Sequence, residues 1–273
     1  MSTKGVYTAL SGAIAQSQRL DTIANNIANV NTPGFKRDQQ IFSEYLTANE
    51  KPPSVIQVPK IPASIESFYD MQGGDKSFVD SAGTYTDFSQ GGLKNTGNAL
   101  DVAIDGSGFF EVATPSGIKL TRHGSFTLDG NGQIVTKDGF PVMAQTAGEG
   151  VDPAARVLKV TGQPQLSISD DGQVFQGEEL LGRLSVVQIK DKDQLQKIGN
   201  SMYGIKANAT PEITTVAKPS LKQGFLEQSN VNIIQEMTDM ITTTRTFEST
   251  QKAINAYDSM AEKLVNTVGK STP

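Results

Sequence analysis

The sequence predicts an α+β fold in which one long helix at each end of the chain brackets a central all-β domain. Apolar residues recur in alternating steps of four and three near both termini, which is typical of helices. Short alternating runs cut by Gly and Asp fill the middle and indicate strands. We place the boundaries at 1–31 for the N-terminal helix, 32–75 for an extended connector, 76–225 for the β domain and 226–273 for the C-terminal helix.

The N-terminal helix carries a heptad seam in which Ser17 takes one otherwise apolar place. The flanking positions are apolar as well, with Tyr7 and Ile14 on one side, so the apolar face is too wide for a single partner helix. The opposite face is small or polar, and such a helix needs neighbours to be stable in water. The predicted contact residues of this helix are Val6, Leu10, Ala13, Leu20, Ile23, Ala24 and Ile27.

The C-terminal helix begins where Asn232 and Gln235 resemble a capping box. It should run for about 35 residues, roughly 50 Å at 1.5 Å per residue. Its seam shifts phase after Phe247, which predicts a locally overwound coiled coil, and Gly269 is placed to end the helix. The predicted contact residues are Ile233, Met237, Met240, Phe247, Ile254, Tyr257 and Leu264. We expect the two helices to pair as a coiled-coil-like layer.

The connector and the β domain are defined by Pro, Gly and Asp. Four prolines within residues 52–62 exclude a helix there and predict an extended segment. Asp-Gly and Asn-Gly pairs at 129–132, 138–139 and 171–172 predict hairpin turns between strands.

Charge and composition exclude several function classes. The net charge is -5 and no Lys/Arg run is present, which argues against binding nucleic acid or an anionic membrane surface. The chain contains no cysteine, so disulfides and thiolate metal sites are excluded. The first residues lack the continuous apolar core of a Sec-type signal peptide, and no stretch is long and apolar enough to span a bilayer. We therefore expect no direct membrane insertion and, if the protein is exported, another route.

Candidate catalytic and metal-binding residues have simpler structural interpretations. His123 is the only histidine, so a zinc site or a catalytic triad would rest on it alone. The segment 129–140 fails as a calcium loop because its twelfth position is Phe140. Adjacent acidic pairs at 170–171 and 178–179 lie in predicted turns. We predict no enzyme activity and no catalytic, cofactor-binding or metal site.

Three sequence blocks resemble one known family. They are "LDTIANNIANVNTPGFKR" near the start, "DVAIDGSGFFEV" with "TRHGSFTLDGNGQIVTKDGFPV" in the middle, and "QGFLEQSNVNIIQEMTDMITTTRTFE" near the end. In this order, and over nearly the whole chain, they are similar to the rod and hook proteins of the bacterial flagellum. The opening "KGVYTALSGA" and the final-helix "EMTDMI" resemble a proximal-rod member more than a distal-rod member.

The resemblance implies a structural subunit of a tubular axial assembly in the periplasm. Its subunits would leave the cell unfolded through the flagellar type III export apparatus, without a cleaved signal peptide. The terminal helices would pair in an inner layer around the export channel, with the β domain outside. The implied partners are further copies of the chain, neighbouring rod proteins and the export apparatus.

The asparagines near the end of the first helix then acquire a predicted role. An interface repeated by a rotation that does not close yields a filament, so each helix is surrounded by neighbours. We expect Asn25, Asn26 and Asn29 to hydrogen-bond adjacent subunits or line a polar channel, and Asn31 to help end the helix before Pro33. The alternatives are an extracellular adhesin or binding module and a carbohydrate-active enzyme, and neither explains apolar heptads at both ends.

Overall fold

The computed structural model describes residues 3–46, 77–145, 156–160, 166–207 and 209–268 of the 273-residue chain. Helix α1 spans Thr3–Ala28 and helix α2 spans Ile233–Val268. Strands fill the described residues between them, which confirms the predicted α+β class. The predicted stop at Gly269 and the proline-rich part of the connector lie outside the described residues.

The strands are three to six residues long, apart from two longer ones at the start. In chain order they are β1 (Asp38–Leu46), β2 (Ser77–Thr86), β3 (Leu93–Asn95), β4 (Val102–Ile104), β5 (Phe109–Thr114), β6 (Gly117–Thr121), β7 (Phe126–Leu128), β8 (Ile134–Thr136), β9 (Leu166–Ile168), β10 (Gln173–Gln176), β11 (Glu179–Arg183), β12 (Val186–Ile189), β13 (Leu195–Gly199), β14 (Met202–Ile205), β15 (Ile213–Thr215), β16 (Leu221–Gln223) and β17 (Phe225–Glu227).

The chain divides into two compact units. One contains residues 1–25, 39–85 and 234–273, and the other contains residues 26–38 and 86–233. The first, which we call the helical unit, holds most of α1 and α2 together with the two-stranded sheet of β1 and β2. The second, which we call the β body, holds β3 to β17, the last turn of α1 and the segment that follows it.

The β body is built on an antiparallel six-stranded sheet in the order β13-β14-β6-β5-β12-β15. A three-stranded sheet, β11-β10-β9, and the pairs β16-β4, β17-β3 and β7-β8 complete it. Its larger core cluster includes Phe110 and Phe126, whose rings meet edge to face at 5.2 Å. A smaller cluster packs Phe109, Tyr203 and Phe88.

The predicted hairpin turns are confirmed. Asp129 Oδ1 accepts hydrogen bonds from the backbone N–H groups of Asn131 at 2.9 Å and Gln133 at 2.7 Å, which closes the β7–β8 turn. Gly132 has φ +72, and a Cβ there would lie 2.1 Å from Val160 O, so no other residue fits. The Asp-Gly pair at 171–172 likewise separates β9 from β10.

Candidate assembly surface

Helix α1 buries a narrow apolar stripe and leaves much of its wider apolar face exposed. Ala13, Ala15 and Ile23 are buried, whereas Tyr7 and Ile14 are more than half exposed. The other predicted contact residues of this helix fall into two groups. Val6, Leu20 and Ile27 are partly buried, and Leu10 and Ala24 are exposed.

The first half of α2 has the reverse of the usual amphipathic pattern. Glu236 is 1% exposed and Thr243 is 3% exposed, whereas Ile234 is 75% exposed. Met237 and Ile241 are also more than half exposed. Apolar side chains grouped in solvent on one side of a helix mark a surface for a partner.

The stripe of buried and partly buried positions on α2 follows one unbroken phase. It runs through positions 236, 240, 243, 247, 250 and 254, in steps of four and three. The predicted seam began instead at Ile233 and Met237, which are both exposed. Because it began there, it needed a phase shift near Phe247 to continue along the helix. This stripe has no such shift. Three of its positions are polar, and two of them, Glu236 and Thr243, were not part of the predicted seam. Of the remaining predicted residues, Tyr257 is exposed and the side chain of Leu264 is outside the described set.

Within the helical unit, α1 and α2 line a shared cavity of about 510 Å³. Four residues predicted for the seam meet there, with Leu10 and Ala13 on α1 and Phe247 and Ile254 on α2. The remaining lining residues are Ile14, Ser17, Gln251 and Asn255. Side chains of both helices therefore border the same cavity.

The asparagines at the end of α1 are not equivalent. Asn26 is 2% exposed, and its side-chain amide makes two hydrogen bonds to the backbone of Asp38. Its Nδ2 donates to Asp38 O at 2.8 Å, and its Oδ1 accepts from Asp38 N at 3.0 Å. Asn29 Oδ1 accepts from Thr32 Oγ1 at 3.2 Å, and Asn25 is exposed. Asn26 thus has a role inside the chain, and assembly roles for the three asparagines stay predictions.

A buried ionic cluster lies in the β body, where Lys36, Arg122 and Glu227 meet. Lys36 Nζ lies 2.5 Å from Glu227 Oε1, and Arg122 Nη1 lies 3.2 Å from Glu227 Oε2. The side chains of Lys36 and Glu227 are 0% exposed. Three charges are therefore removed from water and depend on one another.

Backbone groups complete the coordination of this cluster. Gly91 N donates to Glu227 Oε1 at 3.0 Å, and Lys36 Nζ donates to Ser89 O at 2.7 Å. Arg122 Nη2 donates to Gly106 O at 2.6 Å. Burial lowers the pKa of Lys36 and of Arg122, and the carboxylate of Glu227 opposes both shifts.

A second ion pair borders the cluster. Lys197 Nζ donates to Asp38 Oδ2 at 2.7 Å and to Lys36 O at 2.6 Å. It also lies 4.0 Å from the centre of the Phe35 ring, a cation–π contact. Burial lowers the pKa of Lys197, and Asp38 opposes the shift.

The sequence pattern did not predict these buried charges, because Lys, Arg and Glu are normally solvated. One signal could have found them. Lys36, Arg122 and Glu227 come from the beginning, middle and end of the chain, and each lies in one of the three blocks that carry the family resemblance.

His123 makes structural contacts within the β body. Its Nδ1 accepts a hydrogen bond from Ser125 N at 3.3 Å. Burial, and secondarily Lys137, lowers its pKa below the ordinary value.

Among the described residues, no three His, Asp or Glu side chains are grouped so that they could hold a metal ion. No helix in the described ranges has the length and apolar character needed to cross a membrane.

Family models match the chain in three successive regions. The model described as "Flagella basal body rod protein" matches residues 6–36, and "Flagellar hook protein FlgE/F/G D1 domain" matches residues 103–176. The model described as "Flagellar basal body rod FlgEFG protein C-terminal" matches residues 222–267. These regions cover most of α1, a large part of the β body and nearly all of α2.

Curated relatives match almost from end to end. A flagellar basal-body rod protein FlgF from Mesorhizobium japonicum is 33% identical over 271 residues, covering 98% of each chain. A rod protein FlgG from Bacillus subtilis is 34% identical over 271 residues, covering 96% of this chain and 98% of the relative. A FlgG from Buchnera aphidicola subsp. Acyrthosiphon pisum is 33% identical over 272 residues, covering 95% and 97%.

The matches define an axial structural protein of the bacterial flagellum. The chain belongs to the flagellar basal-body rod protein family, and it is a structural subunit of the rod.

Proposed function

We propose that this chain is a drive-shaft subunit whose two terminal helices form the inner layer of the rod wall. The observation that carries this proposal is the exposed apolar surface on both helices, with Ile234 at 75% exposure. A protein that acted alone would lose stability and solubility from such a surface, whereas a subunit packed among copies buries it.

Pairing of α1 with α2 inside one subunit accounts for part of the apolar face. Leu10 and Ala13 of α1 line the same cavity as Phe247 and Ile254 of α2, which supports a coiled-coil-like pair. The helices present further apolar side chains that this pairing leaves exposed, among them Tyr7 and Ile234. These are the residues that we assign to contacts with neighbouring subunits.

Neighbours in the proposed assembly are copies of this chain and adjoining rod proteins. A head-to-tail interface that repeats without closing produces a helical tube, which suits a shaft and leaves a central channel. We assign the assembled protein to the periplasmic part of the basal body, after export through the flagellar apparatus. Its function is mechanical: torque passes through many small apolar contacts, and no chemical bond is made or broken.

We assign the subunit to the proximal rod, on the strength of the opening "KGVYTALSGA" and the "EMTDMI" of α2. The second candidate is the distal rod, which is favoured by the relatives named FlgG at the same identity as those named FlgF. A map of the isolated basal body distinguishes them by the tier in which this chain is found.

The assembly surface is tested by Ile234→Asp. Because Ile234 is exposed in the single chain, a charge there should leave the subunit folded, yet it would be buried unpaired in the rod and should block assembly. Thr246→Asp, at an exposed position about 120° around α2 from Ile234 and away from Met237 and Ile241, is the matched control. Rods are counted in purified basal bodies, and subunit folding is followed by circular dichroism. Normal rod numbers with Ile234→Asp would refute the assigned surface.

A further inference from the structure

The segment that leaves α1 and the segment that enters α2 are bound to each other in the β body. Gly34 N donates to Glu227 O at 2.8 Å, and Arg37 N donates to Asn230 Oδ1 at 2.7 Å. The Lys36–Glu227 ion pair lies between these two bonds and joins residues 191 positions apart. The segment after the end of α1 and the segment before the start of α2 are therefore held together by these contacts.

Both segments are also fixed to one loop of the β body, at residues 87–91. Asn230 Nδ2 donates to Asp87 O at 2.9 Å and to Ser89 Oγ at 3.0 Å. Lys36 Nζ donates to Ser89 O. A displacement of either segment would thus break bonds to the other segment and to the loop.

The last turn of α1 is tied to the same group. Asn26 exchanges two hydrogen bonds with the backbone of Asp38, and Lys197 holds the Asp38 carboxylate at 2.7 Å. Thr86 Oγ1 donates to Asp38 Oδ1 at 2.7 Å. The helix end is therefore attached through side chains as well as through the backbone that follows it.

We propose that these residues form a positioning device, the helix-exit clamp, made of Asn26, Lys36, Asp38, Glu227 and Asn230. The clamp fixes the spacing between the end of α1 and the start of α2 in the free subunit, before any neighbour is present. A buried ion pair suits this role, because its geometry is specific even where its net contribution to stability is small. The proposal goes beyond the assembly function, since it concerns the isolated chain.

Two measurements on the full chain test the clamp. The chain has no cysteine, so Asn31→Cys and Gln228→Cys, both exposed positions, can carry spin labels at unique sites on either side of the clamp. Pulsed electron resonance then gives the distribution of distances between the two labels. Hydrogen exchange of the Gly34 and Arg37 amides reports the clamp bonds directly.

Lys36→Met is the decisive variant, because it keeps the side chain's length and leaves Glu227 paired with Arg122. Lys190→Met is the matched control, since Lys190 pairs with Glu212 in solvent, with 81% and 68% of the side chains exposed. We expect Lys36→Met to broaden the distance distribution and to speed exchange at Gly34 and Arg37 by about tenfold or more, as for a local opening. The control should match the parent chain.

Amides in the sheet separate local loosening from general unfolding. Met143 N donates to Glu111 O at 2.9 Å, and Ala113 N donates to Pro141 O at 2.9 Å, so both report the core. In Lys36→Met these two amides should keep their protection. An equal gain in exchange at all four amides, or no gain at Gly34 and Arg37, would overturn the clamp.

Asn230→Ala covers the case in which Lys36→Met does not fold. It removes the acceptor for Arg37 N and the donor to Asp87 without changing any charge, and the same local loosening is expected. Unchanged exchange at Arg37 would overturn the proposal. Because both tests use the free subunit, their outcome is independent of whether Ile234→Asp blocks rod assembly.

Discussion

The side-chain amide of Asn26 makes two hydrogen bonds to Asp38, one to its backbone C=O and one to its backbone N–H. Twelve residues separate them along the chain, and the bonds join the last turn of α1 to the first residue of β1. An aspartate or a glutamine could not reproduce the arrangement, because one lacks the donor and the other is longer by one methylene.

Asn26→Ala should therefore destabilise the β body. The change removes both bonds and leaves the Asp38 N–H and C=O without these partners, at a cost of about 1–3 kcal/mol. Gln188→Ala, at an exposed position of the β body, should change stability by no more than about 0.5 kcal/mol. Urea denaturation of both variants, followed by circular dichroism, gives the comparison. Equal midpoints would mean that the Asn26 amide contributes nothing.

Periodicity and turn chemistry were enough to predict the helices and hairpins. The start of α2 at Ile233 follows directly from Asn232, and the 129–132 turn follows from its Asp, Asn and Gly residues. Both signals are local, because they depend on residues within a few positions of one another. The three-part order of the fold needed no long-range information.

The phase of α2 and the buried cluster depended on tertiary contacts that a single sequence does not display. Glu236 and Thr243 are buried, so an apolar pattern assigns them to the wrong face of α2. Lys36 and Glu227 are 191 positions apart, and each is of a residue type that normally lies on the solvated surface. The fold brings these two charges together. Neither side chain would be stable in the interior without the opposite charge beside it.

Glu227→Gln should be among the most destabilising single changes in the β body. It removes the carboxylate that balances Lys36 and Arg122, and breaking a buried pair in this way costs about 3–5 kcal/mol. Glu212→Gln removes the partner of exposed Lys190 and should have little effect. Urea denaturation can be followed through tyrosine, because the chain has no tryptophan and Tyr203 is buried.

Salt provides a second measure for the same pair of variants. The effect of Glu227→Gln should persist at high ionic strength, because ions do not screen charges inside the protein. Any effect of Glu212→Gln should shrink with added salt. If both effects fell in parallel as salt rose, the Glu227 cluster would be accessible to solvent.

Burial of the His123 imidazole should make the protein less stable in mild acid. The folded-state pKa of His123 is lowered, chiefly by burial, while the unfolded chain has the ordinary value of about 6.5. Above that value both states are neutral at this site and no penalty arises. As the pH falls through it, the unfolded state binds a proton that the folded state resists, so stability declines until the folded pKa is reached.

His123→Asn isolates this contribution. The Asn side chain offers an acceptor oxygen near the place of Nδ1, so it can keep the bond from Ser125 N without titrating. We expect the parent chain to lose more stability than the variant between about pH 7.5 and 5.5, since this interval spans the unfolded value. The measurement is urea denaturation at each pH. Superimposable pH profiles would exclude His123 as the cause, because carboxylates contribute equally to both proteins.

Alanine substitutions at Gly34 and Gly97 can be compared to separate the cost of backbone strain from the cost of steric contact. Gly34 has φ +69, and a Cβ there would lie 2.6 Å from Arg122 C and His123 N. Gly97 has nearly the same φ, +71, but a Cβ there would have no other atom within 4 Å. Gly97→Ala should therefore cost only the conformational term, about 1–2 kcal/mol.

Gly34→Ala should cost clearly more than Gly97→Ala, because the atoms in its way belong to the backbone and cannot rotate aside. The added Cβ has to push the segment after α1 away from Arg122, and this displacement would also strain the Gly34 N to Glu227 O bond. Denaturation midpoints of the two variants measure the difference. Hydrogen exchange at Arg37 should rise in Gly34→Ala and stay unchanged in Gly97→Ala. Equal costs would show that the conformational term dominates and that the approach of Gly34 to Arg122 is easily relaxed.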